Sequence, residues 1–250
     1  IVQMTCRDRN RLALQADLVG AAALGAPNVM LLTGDDVTVG DHPEAKPIFD
    51  IDSLHLLRIA RVLRDEGTYL SGRKLSTPPS FFIGAAENPF APPHEYRPVR
   101  LAKKVEAGAE FIQTQLCFNV PRLREFMARV ADTGLLERVF VLVSVYVTRS
   151  TRALSYMRDV VPGIDVPDVV MARFEGLSKE RQAEEGFRLA LETVHAVREI
   201  PGVSGVHLIS IHGQAEILRL VEAAGLLPRP EPPPRPEPLP AGGDQPSRST

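Results

Sequence analysis

The stretch Val29-Met30-Leu31-Leu32-Thr33-Gly34-Asp35-Asp36 joins a short apolar run directly to a polar turn. An apolar run without alternation is typical of a parallel strand that is buried on both faces. Similar runs recur along the chain and predict six strands, which are Ile1–Cys6, Val29–Thr33, Phe81–Ala86, Phe111–Phe118, Val139–Val147 and Val206–Ile211. Amphipathic segments lie between them, so the sequence predicts βαβ units around a parallel sheet.

The amphipathic segments are predicted to be helices. They are Asp8–Gly25, Asp50–Gly67, Glu95–Gly108, Val120–Thr133, Thr151–Val161, Lys179–Ile200 and Gln214–Gly225. Glycines follow several of them, at positions where a helix commonly ends in a left-handed residue. These glycines are Gly25, Gly67, Gly108, Gly134 and Gly225.

Two parallel architectures compete for this pattern. A doubly wound nucleotide-binding sheet usually has a glycine-rich turn after an early strand, but the chain contains neither GxGxxG nor GxxxxGK[ST]. A closed barrel instead places polar groups at the carboxyl ends of many strands, as the sequence does here. We therefore predict an α/β fold, a (β/α)8 TIM barrel over residues 1–227, with six of its eight strands. The two other strands are expected to precede Ile1.

Composition narrows the range of functions. The chain has 29 Lys+Arg against 31 Asp+Glu, a balance that argues against a general nucleic-acid binder. It has no apolar segment of the length that a membrane span needs, and no paired histidines that would predict a metal site. The cysteines Cys6 and Cys117 lie in apolar runs, which indicates buried thiols and a reducing, cytoplasmic location. The proline-rich residues 228–250 predict a disordered tail.

Three polar clusters are candidates for a site. Thr33–Asp36 reads most simply as a turn with a helix cap, although a carboxylate at a strand end would face a barrel mouth. Gln113 and Gln115 interrupt a buried strand, and we expect them to hold a ligand because an unpaired buried amide is costly. The pair Lys103-Lys104 fits either a diphosphate contact or a solvated helix face. His207 is predicted to be a hydrogen-bonded core residue.

Taken together and in order, these segments resemble the flavin-dependent methylenetetrahydrofolate reductases. The blocks that carry the resemblance are Gln3–Asn10, Leu32–Asp35, Val39–Asp41, Phe49–Leu54, Ile83–Ala86, Asn88–Pro89 and Lys103–Gln115. The resemblance implies a barrel that holds FAD and that passes hydride from NADH or NADPH to 5,10-methylenetetrahydrofolate. It places the chain in one-carbon and methionine metabolism.

The resemblance also implies roles for individual residues. Asp35 and Gln115 would be catalytic and would contact the folate. The residues implied to contact the cofactor are Gln3, Thr33, Gly34, Asp35, Ile51, Ala86, Asn88, Lys103 and Lys104.

The sequence departs from the family in one important respect, because the general-acid glutamate of the family's first strand has no counterpart here. The alternative is therefore a non-catalytic flavin- or folate-binding relative. A homo-oligomer or a partner subunit could then complete the barrel.

Overall fold

A computed structural model describes residues 1–211 and 213–229. Most of the predicted proline-rich tail, residues 230–250, therefore lies outside the described residues, as does His212. No helix among the described residues is both long and apolar enough to cross a lipid bilayer.

The described chain alternates strands and helices as the sequence predicts. The strands are β1 Val2–Thr5, β2 Asn28–Leu32, β3 Phe82–Glu87, β4 Phe111–Leu116, β5 Phe140–Tyr146 and β6 Val203–Ile209. The helices are α1 Arg11–Ala23, α2 Ser53–Asp65, α3 Arg97–Ala107, α4 Val120–Ala131, α5 Thr151–Asp159, α6 Asp168–Ala172, α7 Lys179–Arg198 and α8 Gln214–Ala223. The short helix α6 was not predicted, because five residues are too few to show a helical period.

The six strands form one sheet in the order β1-β2-β3-β4-β5-β6, and every neighbouring pair is parallel. A doubly wound sheet reverses its strand order at a switch point, whereas this order never reverses. The chain is thus a parallel six-stranded α/β sheet with helices, consistent with an incomplete TIM barrel. Within the described residues, β1 and β6 each pair with one neighbour.

The two faces of the sheet are packed differently. One face contributes Val29, Ile83 and Ile112 to a continuous core that includes side chains of α1–α4. On the other face, the Phe82 ring stacks on the Phe111 ring at 5.4 Å and lies 5.9 Å from the Phe140 ring. Gly84 leaves room for Phe111, since a Cβ there would lie 2.1 Å from its Cζ. Apolar contacts therefore fix both faces of the central strands.

The predicted helix ends are confirmed. Gly25, Gly67, Gly108, Gly134 and Gly225 all have positive φ. Because β1–β4 are all parallel, their carboxyl ends meet at one edge of the sheet.

Candidate functional site

A cavity of about 560 Å³ lies at the carboxyl ends of β1–β4. The predicted site residues that line it are Gln3, Thr33, Gly34, Asp35, Ala86, Asn88, Lys104 and Gln115. The structure thus brings together side chains from four strands and α3, which lie far apart in the sequence.

The two adjacent aspartates after β2 have different surroundings. The Asp36 carboxylate accepts hydrogen bonds from the Thr38 amide at 2.9 Å and the Thr38 hydroxyl at 2.7 Å. These bonds lower the pKa of Asp36 and cap a short 3-10 helix, Val37–Val39. Asp35 lines the cavity, and its carboxylate has no hydrogen bond or ion pair within the described chain. The turn interpretation of this motif therefore applies to Asp36, whereas Asp35 stays a candidate for ligand contact.

Gly34 shapes the same turn. Its φ is +93°, and a Cβ at this position would lie 2.9 Å from the Cβ of Arg7. A side chain would therefore be both strained and crowded here. Arg7, in the loop after β1, holds the turn, since its guanidinium donates to the Asp35 carbonyl at 3.3 Å.

The two glutamines of β4 also differ. Gln115 lines the cavity, and its Oε1 accepts a hydrogen bond from the Leu116 amide at 2.9 Å. Gln113 is 6% exposed and does not line the cavity. The register of β4 against β5 shifts between Gln113 and Leu116, so regular alternation along the strand does not describe this segment.

A polar contact links the next two strands. The Ser144 hydroxyl donates to the Thr114 carbonyl at 2.6 Å and lies 3.1 Å from Nδ1 of His207. Burial lowers the pKa of His207. The predicted hydrogen bond of His207 is confirmed, but its side chain is half-buried and does not belong to the core, because β6 pairs with only one neighbour among the described residues.

A buried ion pair closes the β3 side of the cavity. The Glu87 side chain is 1% exposed and the Lys104 side chain 8%. Lys104 Nζ donates to the Glu87 carboxylate at 2.6 Å and to the Ala86 carbonyl at 2.5 Å. The other Glu87 oxygen accepts the Asn88 amide at 2.9 Å and lies 3.8 Å from Arg97. Burial lowers the pKa of Lys104, while Glu87 opposes this shift.

Two residues predicted to contact the cofactor lie outside the cavity lining. Lys103 is exposed, and its Nζ donates to the Tyr96 hydroxyl at 2.8 Å. Ile51 is buried in the main hydrophobic core. Adjacent helix positions point about 100° apart, so Lys103 and Lys104 cannot share one environment.

The cysteines are buried free thiols, as the sequence predicts. Burial raises the pKa of Cys6 to about 11 and that of Cys117 to about 12. Both thiols stay protonated at neutral pH, which makes them poor nucleophiles.

The sequence interpretation missed four charged lining residues, Arg7, Glu87, Arg97 and Arg100. Arg97, Arg100 and Lys104 follow an i, i+3, i+7 spacing, which places them on one face of α3. This spacing in the sequence could have identified the three cationic residues as one face of a helix. Glu87 gave no comparable signal, because an acidic residue at a strand end is usually exposed.

Comparison with known proteins gives a consistent family. The family model described as "Methylenetetrahydrofolate reductase" matches residues 1–225. A "Probable methylenetetrahydrofolate reductase (NADPH)" from Caenorhabditis elegans is 21% identical over 90% of this chain and 32% of its own length. "Methylenetetrahydrofolate reductase 2" from Schizosaccharomyces pombe is 24% identical over 90% of this chain and 36% of its length. The chain spans about a third of the length of these relatives.

Solved structures also match over most of the chain. An uncharacterized protein from Clostridium thermocellum, described as binding two copies of 5-methyl-5,6,7,8-tetrahydrofolic acid, has a TM-score of 0.46 and 14% identity, covering 89% of this chain and 92% of that one. An oxaloacetate acetylhydrolase structure has a TM-score of 0.39 and 15% identity, covering 90% of this chain and 66% of that one.

Proposed function

This chain belongs to the methylenetetrahydrofolate reductase family, and from that premise we propose that it reduces 5,10-methylenetetrahydrofolate to 5-methyltetrahydrofolate with FAD and NADH or NADPH. The observation that carries the proposal is the shared cavity at the carboxyl ends of β1–β4. It gathers all the site residues implied by the family resemblance except Ile51 and Lys103.

The residues of this cavity fit a flavin dinucleotide. Gly34 lets the turn pack closely against Arg7 and Thr5, because a Cβ there would meet both side chains, and Gly34 itself lines the cavity. Cationic side chains on α3 suit a diphosphate, and amide side chains at Gln3 and Gln115 suit a heterocycle. FAD, when bound, supplies hydride-transfer chemistry that no side chain of this chain could perform.

Asp35 is proposed to act through its charge. Its carboxylate is exposed to the cavity and has no hydrogen bond or ion pair in the described part of the chain. A fixed negative charge there would favour a cationic iminium form of the folate and disfavour extra negative charge nearby. Gln115 is proposed to orient the pterin and the nicotinamide, since an amide offers a donor and an acceptor side by side.

The wider context is also a proposal. We assign residues 1–227 to the reductase barrel domain and place the protein in one-carbon metabolism that supplies methionine synthesis. The buried free thiols Cys6 and Cys117 are compatible with a reducing cytoplasm. A second copy or a partner subunit could complete the barrel.

The proposal is tested by comparing Asp35→Asn with Asp36→Asn in the full chain. Asp35→Asn removes a charge that faces the cavity, so we expect FAD to stay bound, its potential to rise, and folate reduction to slow by about tenfold or more. Flavin reduction by the nicotinamide should suffer less. Asp36→Asn keeps a good capping side chain, so both half-reactions should be unchanged.

Stopped-flow absorbance of each half-reaction provides the measurement. If Asp35→Asn matches the wild type in both potential and folate reduction, the assigned role of Asp35 is wrong. A wild-type chain that binds flavin and folate but transfers no hydride would identify the non-catalytic alternative instead.

A further inference from the structure

A second cavity, of about 460 Å³, lies beyond the carboxyl end of β5. It is formed by the loop that follows β5 and by the first turns of α5 and α7. Its lining residues are Arg149, Ser150, Thr151, Arg152, Lys179, Gln182 and Ala183. It shares no lining residue with the first cavity, at the carboxyl ends of β1–β4, so a ligand of the first cavity does not account for it.

The walls of the second cavity are held in place by internal contacts. The Gln182 side chain accepts the Thr151 amide at 3.0 Å and donates to the Leu177 carbonyl at 2.9 Å, which ties the start of α5 to the start of α7. Gly186 lets α7 approach the loop after β5, because a Cβ there would lie 1.8 Å from the Thr148 carbonyl oxygen. The lining is therefore preorganised, which lowers the entropic cost of binding a ligand.

The polar groups that cap these two helices are already bonded within the protein. Ser150 Oγ accepts the Ala153 amide at 3.1 Å, and Ser178 Oγ accepts the Arg181 amide at 3.4 Å. Hydrogen bonds from its own amide and from the Ser178 hydroxyl lower the pKa of Glu180, which does not line the cavity. The groups that remain for a ligand are therefore the cationic side chains.

Three cationic side chains line the second cavity, and no acidic residue of the described chain is among its lining. The side chains of Arg152 and Lys179 are exposed and make no hydrogen bond or ion pair within residues 1–211 and 213–229. Arg149 has one acidic neighbour, since its Nε lies 3.3 Å from the Glu216 carboxylate. Like charges around one cavity repel each other, and a bound anion would relieve that repulsion.

We propose that the second cavity binds a phosphate group, carried either by the free ion or by the monoester of a small molecule. Two guanidiniums and one ammonium match a doubly charged oxyanion, because a guanidinium can give two parallel hydrogen bonds to its oxygens. The place is also suitable, since TIM barrels frequently bind phosphate at the loops after their last two strands, and β5 and β6 are the last two strands of this sheet. The volume leaves room for a carrier molecule beyond the phosphate itself.

The test is phosphate binding by the full chain, measured by isothermal titration calorimetry at constant ionic strength. One variant combines Arg152→Ala with Lys179→Ala and so removes both cations that lack partners. The matched control is Arg181→Ala, because Arg181 is exposed on the same helix as Lys179 but lies outside the second cavity. Succinate serves as a dianion without phosphate geometry, and circular dichroism confirms that each variant is folded.

We expect the wild type to bind inorganic phosphate at least about tenfold more tightly than succinate, and the double variant to lose about tenfold or more in phosphate affinity. Arg181→Ala should stay within about threefold of the wild type. Saturating FAD should leave phosphate affinity unchanged, because the two cavities share no lining residue.

Two phosphate monoesters, glycerol 3-phosphate and adenosine 5′-monophosphate, separate the sources of the phosphate group. Tighter binding of either one than of inorganic phosphate identifies a monoester as the ligand. Equal or weaker binding of both identifies the free ion. Each result supports the assigned site.

Four outcomes would overturn the inference. The first is a wild type that binds no phosphate. The second is normal phosphate binding in the folded double variant, because the ion would then bind elsewhere, and its displacement by FAD would place it in the first cavity. The third is a loss in Arg181→Ala as large as that in the double variant, which indicates only a general field of positive charge. The fourth is succinate binding as tightly as phosphate. None of these outcomes bears on hydride transfer, so the proposed function stands or falls by its own test.

Discussion

Glu87 and Glu185 are both nearly buried carboxylates with two cations beside them, but they lie in different surroundings. The Glu87 side chain is 1% exposed, between Lys104 and Arg97. The Glu185 side chain is 7% exposed, and it accepts hydrogen bonds from Arg173 at 2.5 Å and from Arg188. Charge and burial alone therefore do not separate the two sites.

The difference lies in what completes each cluster. The Glu185 cluster continues outward to an exposed acidic residue, because Arg173 also donates to Glu192 at 2.6 Å. It joins the end of α6 to α7 and is made of side chains alone. The Glu87 cluster includes backbone groups of β3 and opens on the cavity. Glu185 and Arg188 also border a cavity, of about 360 Å³, but that cavity is lined almost entirely by residues of α7. Only the Glu87 cluster opens on the cavity where the strand ends meet, and this position makes it the better candidate for function.

The largest effect is expected for Lys104→Met. This change leaves the Glu87 carboxylate buried with Arg97 at 3.8 Å as its nearest remaining cation. We expect the free energy of unfolding to fall by about 3–5 kcal/mol, because an uncompensated buried charge is costly. Urea unfolding is the measurement. Adding Glu87→Gln to the same chain should recover most of the loss, and no recovery would show that Lys104 acts through packing alone.

A smaller effect is expected for Arg173→Met. Glu185 keeps its bond to Arg188, so its charge stays partnered after the change. We expect a loss of about 1–2 kcal/mol in the same urea assay, mainly from broken charge-assisted hydrogen bonds. Dinucleotide binding should not change, since the cluster does not border the cavity. If the free energy of unfolding falls as much as it does for Lys104→Met, the expected difference between the two clusters is wrong.

The smallest effect is expected at the exposed edge of the Glu185 cluster. The hydrogen bonds from Arg173 lower the pKa of Glu192 below its ordinary value of 4.5. A lowered folded-state pKa stabilises the protein above the ordinary value, and this stabilisation is lost as the pH falls through the folded-state value. Glu192→Gln should remove that part of the pH dependence.

We expect a change of less than about 0.5 kcal/mol for Glu192→Gln, because solvent screens a half-exposed pair. Urea midpoints between pH 3 and pH 6, compared with the wild type, provide the check. An identical pH dependence in both proteins would show that the Arg173–Glu192 pair contributes nothing measurable.

The strands were predictable because a parallel strand that is buried on both faces consists almost entirely of apolar residues. Val139–Val147 and Val29–Leu32 are apolar at nearly every position, and the structure makes β5 and β2 of them. The predicted and the observed bounds of these strands differ by a few residues, because the residue types at strand ends are the same as those in the adjoining loops. β6 begins at Val203 rather than Val206 because Ser204 and Gly205 hide its start in the sequence.

The candidate site was predictable in part. Gln115 follows from its place in a buried strand, whereas Asp35 was indicated by the family resemblance, and the structure puts both in the cavity lining. The sequence could not separate Asp35 from Asp36, because only the three-dimensional turn shows which carboxylate meets the Thr38 amide. Likewise, the Glu87–Lys104 pair joins residues 17 positions apart, and short-range spacing does not show such contacts.

The strand order has a consequence for the synthesis of the protein. Every residue that lines the cavity at the ends of β1–β4 lies between Gln3 and Gln115, whereas β5, the strand that pairs with β4, ends at Tyr146. At about 5–20 residues per second, the ribosome needs roughly 2–6 seconds to pass from Gln115 to Tyr146. For that interval the nascent chain holds all residues of this cavity, with β4 as an uncovered edge. A ligand or a chaperone that reaches the chain during those seconds would meet the cavity before β5 has covered that edge.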